Sequence, residues 1–248
     1  MITGVAFVPS TPLLVPAVGV GASHELDHLR AGCMAALAEV LSPATQRVVV
    51  VGAGAKNRLY TEGSGTLRGF GVDLDVDLSF ALNVPGEPPL PQAPGGGDRL
   101  PLALTLGTWL LQQAGWSGER LAVEIDMTAD EAEVDSRALE VAHLLESDLP
   151  TALLVVADGS AARTEKAPAS LHPEAAGFDA AVAAALASGL PANLGALDRE
   201  RAIEVSAGGW PAWHLASSLC AGAEFQARMH ADEAPYGVGY LVAEWVVR

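Results

Sequence analysis

Two short apolar runs most restrict what this chain can fold into: the valines of Arg47–Val51, and Leu153–Val156. Neither offers a polar residue to water, so neither suits a half-exposed sheet. Strands that are apolar without alternation are buried on both faces, and helices are what cover such strands. Each run ends in small residues, at Gly52-Ala53-Gly54 and at Ala157-Asp158-Gly159-Ser160. Helical periods lie around them. Leu26, Leu29, Cys33, Leu37 and Val40 mark one face of a long segment that Ser23 is placed to cap. Phe178, Val182 and Leu186 mark another, opened by Pro173 and stopped by Gly189. Buried strand, polar loop, amphipathic helix, repeated, predicts an α/β fold with a mixed central β-sheet and helices packed on both faces.

The remaining elements follow in order. Ile2–Val8 is a first strand, and Leu13–Pro16 an extended, proline-bounded loop. Glu62–Gly71 is loop. Val72, Leu74, Val76 and Leu78 alternate with Asp73, Asp75 and Asp77, the period of a half-buried strand. A proline- and glycine-rich surface loop covers 84–97. Leu100–Gln113 is a helix capped by Asp98, and Arg120–Ile125 a strand. Thr128 and Glu131 form a capping box for a helix that runs to about Leu145. Leu194–Arg201 is a short helix, Ala202–Ser206 a strand, Trp210–Glu224 a helix and Gly237–Val246 the last strand. No shift in composition marks a boundary, so residues 1–248 form a single domain.

Half of the 248 residues are hydrophobic, enough for a full core, and the formal net charge is −16. That balance argues against nucleic acid and against an anionic membrane as partners, because phosphate-binding surfaces need clustered Lys and Arg. Two cysteines, Cys33 and Cys220, have no partner at metal-ligand spacing and read as buried free thiols. The N-terminus lacks the basic start of a signal peptide, and no segment approaches the roughly 20 apolar residues of a membrane span. A cytoplasmic protein is the expectation.

Several patterns resemble sites and lack what those sites need. Gly52-Ala53-Gly54 resembles a dinucleotide-binding turn, but the third small residue is Asn57 and no helix follows directly. The three alternating aspartates lack the glycine and the glutamate of a calcium loop. His24-Glu25-Leu26-Asp27-His28 matches the bare zincin spacing at the start of a helix, without a third ligand. Gly63-Ser64-Gly65 lacks the strand and helix of a nucleophile elbow. His214, one turn after Trp210, reads as a packed histidine.

The loop after Leu153–Val156 gathers groups of complementary use. Asp158 and Ser160 stand at the strand end, with Arg163, Glu165, Lys166 and His172 beyond. In an open α/β sheet, ligands bind outside the carboxyl ends of the strands. Arg163 and Ser160 there suit a small carboxylate or a phenolic oxygen. The competing reading is a surface salt-bridge cluster of Arg163, Glu165 and Lys166.

Four segments carry a family resemblance. Phe7-Val8-Pro9-Ser10-Thr11-Pro12-Leu13-Leu14-Val15-Pro16, the strand end Leu154 to Arg163, the helix start Pro173 to Asp179, and Ala234-Pro235-Tyr236-Gly237-Val238-Gly239-Tyr240 are similar to segments of the class III extradiol ring-cleavage dioxygenases and their Memo-like relatives. The resemblance implies that family's α/β fold and a homodimer. Catechol-cleaving members hold Fe(II) with two histidines and a glutamate, and a further histidine moves protons. Carried over, the iron ligands fall on Ser10, Gly54 and Ala207, and the catalytic histidine on Ala161. Hydroxyl and backbone oxygens are poor substitutes for those ligands. The expectation is a non-catalytic small-molecule-binding or regulatory homologue with neither metal nor cofactor. Its pocket is formed by Ser10, Gly54, Asp158, Ser160, Arg163, His172 and Ala207, and its ligand is a small aromatic compound or carboxylate. Two alternatives stand beside it: an Fe(II) enzyme using other ligands such as His172 or His214, and a partner subunit of a complex.

Overall fold

The computed structural model describes residues 1–79, 98–146 and 149–248. Its central sheet has seven strands. The strands are β1 (Ile2–Val8), β2 (Arg47–Gly54), β3 (Arg58–Tyr60), β6 (Glu119–Asp126), β7 (Thr151–Val156), β8 (Phe225–Glu233) and β9 (Tyr240–Val247), in the order β3-β6-β2-β7-β1-β9-β8. A small separate sheet pairs β4 (Ser64–Thr66) with β5 (Asp75–Asp77). β6, β2, β7 and β1 run parallel; β3 at one edge and β9 beside β1 run against them, and β8, antiparallel to β9, closes the other edge in the direction of β1. This is the mixed sheet, with both faces covered, that the apolar runs demand.

Alternate residues of each strand feed two cores. Val5, Phe7, Val49, Val51, Leu153 and Val155 face one way, toward α4 (Glu131–Leu144), α5 (Ala175–Ser188), α6 (Pro191–Gly195), α7 (Arg199–Glu204) and α8 (Trp210–Leu219). Ala6, Val8, Val48, Val50, Leu154 and Val156 face the other, toward α2 (Asp27–Val40) and α3 (Leu102–Gln113). Full burial of side chains this size stabilises by about 1.5–3 kcal/mol each before entropy is counted. Trp245 anchors the first core: Phe7 meets it edge-on at 4.8 Å, and its indole N–H donates to the Leu186 carbonyl at 2.6 Å. α5 stops as its sequence predicts, with Gly189 in the left-handed conformation at φ 66°.

Several boundaries differ from the sequence reading, each for a local reason. Between β1 and α2 the chain is not simply extended. Pro12–Leu14 and Val20–Leu26 are 3-10 turns and Pro16–Gly19 is one short helix, α1, so Ser23 caps nothing. The capping box of α4 is Asp130 with Glu133, at 2.9 and 3.0 Å, not Thr128 with Glu131; Thr128 instead hydrogen-bonds Asp126. Asp98 pairs with Arg58, which leaves Pro101 as the N-cap of α3.

The segment around Ala202–Ser206 is helical, because Asp198 caps α7 through the Arg201 amide. α8 ends at Leu219 rather than Glu224. β8 escapes the sequence patterns because it is an edge strand of mixed polarity, interrupted by an irregularity at His230. The alternating aspartates do mark a strand face, shortened to Asp75–Asp77, with Arg68 bridging Asp73 at 2.8 Å and Asp75 at 2.5 Å. The 84–97 loop lies outside the described residues.

Candidate functional site

Parallel register brings the carboxyl ends of the inner strands to one rim. Val8 and Gly52 both stand level with Val156, and Gly54 stands level with Asp126. The loops that leave this rim carry most residues singled out above. Ser10 and Asp158, 148 positions apart, meet directly: the Ser10 amide donates to Asp158 Oδ1 at 2.7 Å. The loop at Ala207 joins them, since Gly209 N–H donates to the Asp158 carbonyl at 3.1 Å. Burial pushes the Asp158 carboxyl up to about 7, against the lowering effect of the Ser10 hydrogen bond. The neighbouring Tyr240 hydroxyl donates to Thr11 Oγ1 at 3.2 Å, and burial raises that phenol to about 12.

Ser160 and Arg163 hold a carboxylate, and it belongs to the protein. Asp179, fully buried on α5, accepts from the Ser160 amide and hydroxyl, each at 2.7 Å, and from Arg163 Nη1 at 2.9 Å. Gly159 and Gly239 leave the room this carboxylate occupies, where a Cβ on either would clash. Glu165 and Lys166 are exposed and take no part. His172 lies just ahead of α5, its Nδ1 accepting the Glu174 amide at 3.3 Å. His214 is packed between helices, stacked on Trp210 and 3.2 Å from Asp135 of α4.

The positions that the dioxygenase resemblance assigns to iron ligands do not form a donor set. Ser10 brings a hydroxyl, Gly54 no side chain and Ala207 a buried methyl. Among the described residues no three of His, Cys, Asp and Glu are grouped to hold an ion. These residues do not fit the family's Fe(II) centre.

Beside Gly54 lies a group that the sequence reading passed over. Glu124 of β6 is 3% exposed, and its carboxylate fills the space a Cβ on Gly54 would need. Its Oε1 accepts the Ala55 amide at 2.8 Å and its Oε2 the Tyr60 hydroxyl at 2.5 Å. Burial and this bond raise the Tyr60 phenol to about 12, so Tyr60 remains a donor at neutral pH. The signal was present: a lone glutamate between Val123 and Ile125, inside a strand otherwise fit for the core.

Glu124 and Tyr60 line a cavity of about 410 Å³. Lys56, from the turn after β2, and Arg99, ahead of α3, line it as well, and both side chains are exposed. Neither has a carboxylate partner among the described residues. Phe70, Leu100 and Leu102 supply apolar wall. The start of α3 is at the same wall, and a helix N-terminus favours negative charge.

Among the described residues no helix is long and apolar enough to cross a membrane. No protein-family model matches the chain, and no curated protein matches it. Among solved structures, an uncharacterized protein of Escherichia coli K12 is similar over 98% of this chain and 99% of its own, with 12% identity and a TM-score of 0.47.

Proposed function

We propose that this chain is a non-catalytic small-molecule-binding or regulatory protein on a scaffold resembling the class III extradiol dioxygenases, and that its ligand is a small carboxylate. The cavity lined from β3, β6 and the start of α3 carries this reading. Lys56 and Arg99 both line it, without carboxylate partners among the described residues, in a protein whose net charge is −16. Two cations and a helix N-terminus on one concavity suit an anion, and a guanidinium grips a carboxylate in two-pronged fashion. The apolar wall suits the rest of a small organic acid. The Asp158–Ser160–Arg163 loop is better understood as the brace of the rim, with the Ser160 amide and hydroxyl and Arg163 Nη1 already bound to Asp179. Two buried cysteines without a disulfide support a reducing, cytoplasmic setting.

The test has two arms. Chelator-stripped protein is titrated with Fe(II) and with Zn(II) by anaerobic calorimetry, followed by elemental analysis. One tight equivalent of metal overturns the non-catalytic reading and calls for a ring-cleavage assay with catechols. In the second arm, small aliphatic and aromatic carboxylates are screened by thermal shift against the wild type and the Lys56→Ala/Arg99→Ala double variant. Stabilisation that the double variant loses is the expected result. Carboxylates that stabilise both proteins equally, or neither, defeat the assignment to this cavity.

A further inference from the structure

Glu124 is a buried carboxyl group, 3% exposed, with no ion-pair partner among the described residues. Its two hydrogen bonds, from Ala55 and Tyr60, use one acceptor site on each oxygen and leave the others without a partner among the described residues. A carboxylate taken out of water is costly unless it is paired, and proteins rarely retain one without a use for it. The chain makes explicit room for this one, since residue 54 is a glycine and a Cβ there would overlap the Glu124 side chain. The carboxylate also lines the cavity whose outer residues are Lys56 and Arg99. One concavity therefore has a negative buried wall and positive exposed residues.

We propose that this cavity takes the zwitterion of an α-amino acid, its ammonium group on Glu124 and its carboxylate between Lys56 and Arg99. This deepens the carboxylate reading and rests on it. The ammonium supplies three donors. The remaining acceptor sites of Glu124 and the lone pairs of the Tyr60 oxygen, whose hydrogen is already given to Glu124, are placed to receive them. The carboxylate end finds two cations and the start of α3. Phe70, Leu100 and Leu102 then face the ligand's side chain, which favours an apolar one. A simple carboxylic acid would satisfy Lys56 and Arg99 and leave Glu124 as it is. A simple amine would do the reverse. Only a ligand carrying both charges uses both ends.

The experiment screens the twenty protein amino acids by thermal shift. The strongest binder is then compared by calorimetry with its deaminated acid and its decarboxylated amine, on the wild type and on Glu124→Gln. Glutamine keeps the shape and can still accept the Ala55 amide, so the variant retains the fold. The amino acid should bind the wild type at least about tenfold more tightly than its deaminated acid. In Glu124→Gln that advantage should vanish while affinity for the deaminated acid is unchanged. If the deaminated acid binds the wild type as tightly as the amino acid, or the advantage survives in Glu124→Gln, the zwitterion assignment fails and the carboxylate reading stands. If neither the amino acids nor their deaminated acids bind, both fail.

Discussion

Gly54 and Glu124 form one packing unit on neighbouring strands: the carboxylate of Glu124 occupies the volume that a Cβ on Gly54 would fill. Glu124 is in turn pinned by the Ala55 amide and the Tyr60 hydroxyl, so it has little freedom to move aside. Gly54→Ala should therefore lower stability by about 1–3 kcal/mol, the usual cost of forcing atoms into a packed site. Urea unfolding measures it. Wild-type stability in the variant would mean that the Glu124 side chain swings freely.

Asp179 braces the loop after β7 with three hydrogen bonds, two from Ser160 and one from Arg163. Asp179→Ala strands a buried amide, a buried hydroxyl and part of a guanidinium at once. A loss of about 3–5 kcal/mol is expected, as when one partner of a buried pair is removed. Ser160→Ala keeps the Arg163 bond and the amide bond, so it should cost only about 1 kcal/mol. Equal losses in the two variants would show that the carboxylate is not the hub.

Asp158 should make stability fall as pH rises. Its carboxyl is raised from 3.8 to about 7 in the fold, chiefly by burial. Between those values the folded chain holds a proton that the unfolded chain has released. The stabilisation is complete below the unfolded value and is lost as pH climbs through about 7. Asp158→Asn cannot ionise and still accepts the Ser10 amide. Variant minus wild-type stability should thus grow between pH 4 and pH 8, by on the order of 1–4 kcal/mol. Urea melts at several pH values provide the curve, and a flat difference would place the Asp158 carboxyl near its ordinary value.

Cys33 and Cys220 are free and buried, and burial lifts both thiols to about 12. The thiolate is the reactive form, so the native protein should not react with a disulfide reagent at pH 8 on the timescale of minutes. Two thiols should appear on unfolding in urea. Rapid labelling of the native protein would indicate that α2, which carries Cys33, or the turn at Cys220 just after α8 opens readily.

Much of the scaffold was legible from residue pattern. The valine run at β2, the Leu153–Val156 run and the Phe178–Val182–Leu186 period translate directly into burial, because they depend only on the geometry of one element. β8 was not legible. Phe225–Glu233 lies at the sheet edge, shows no clean alternation, and is ordered by pairing with β9 rather than by its own sequence. Asp179 and Glu124 each left a trace, as a lone carboxylate on an otherwise apolar face or strand.

By itself, then, the sequence determined the α/β class, the buried strands and the rim where their loops converge. Period and punctuation are local, and hydrophobic burial acts on them one residue at a time. Tertiary structure alone decided which polar groups at that rim are spent and which remain available. Ser10 finds Asp158 across 148 positions, Ser160 and Arg163 find Asp179, and Tyr60 finds Glu124 across 64. A hydrogen bond needs a particular partner at a particular distance and angle, and only the assembled sheet sets those.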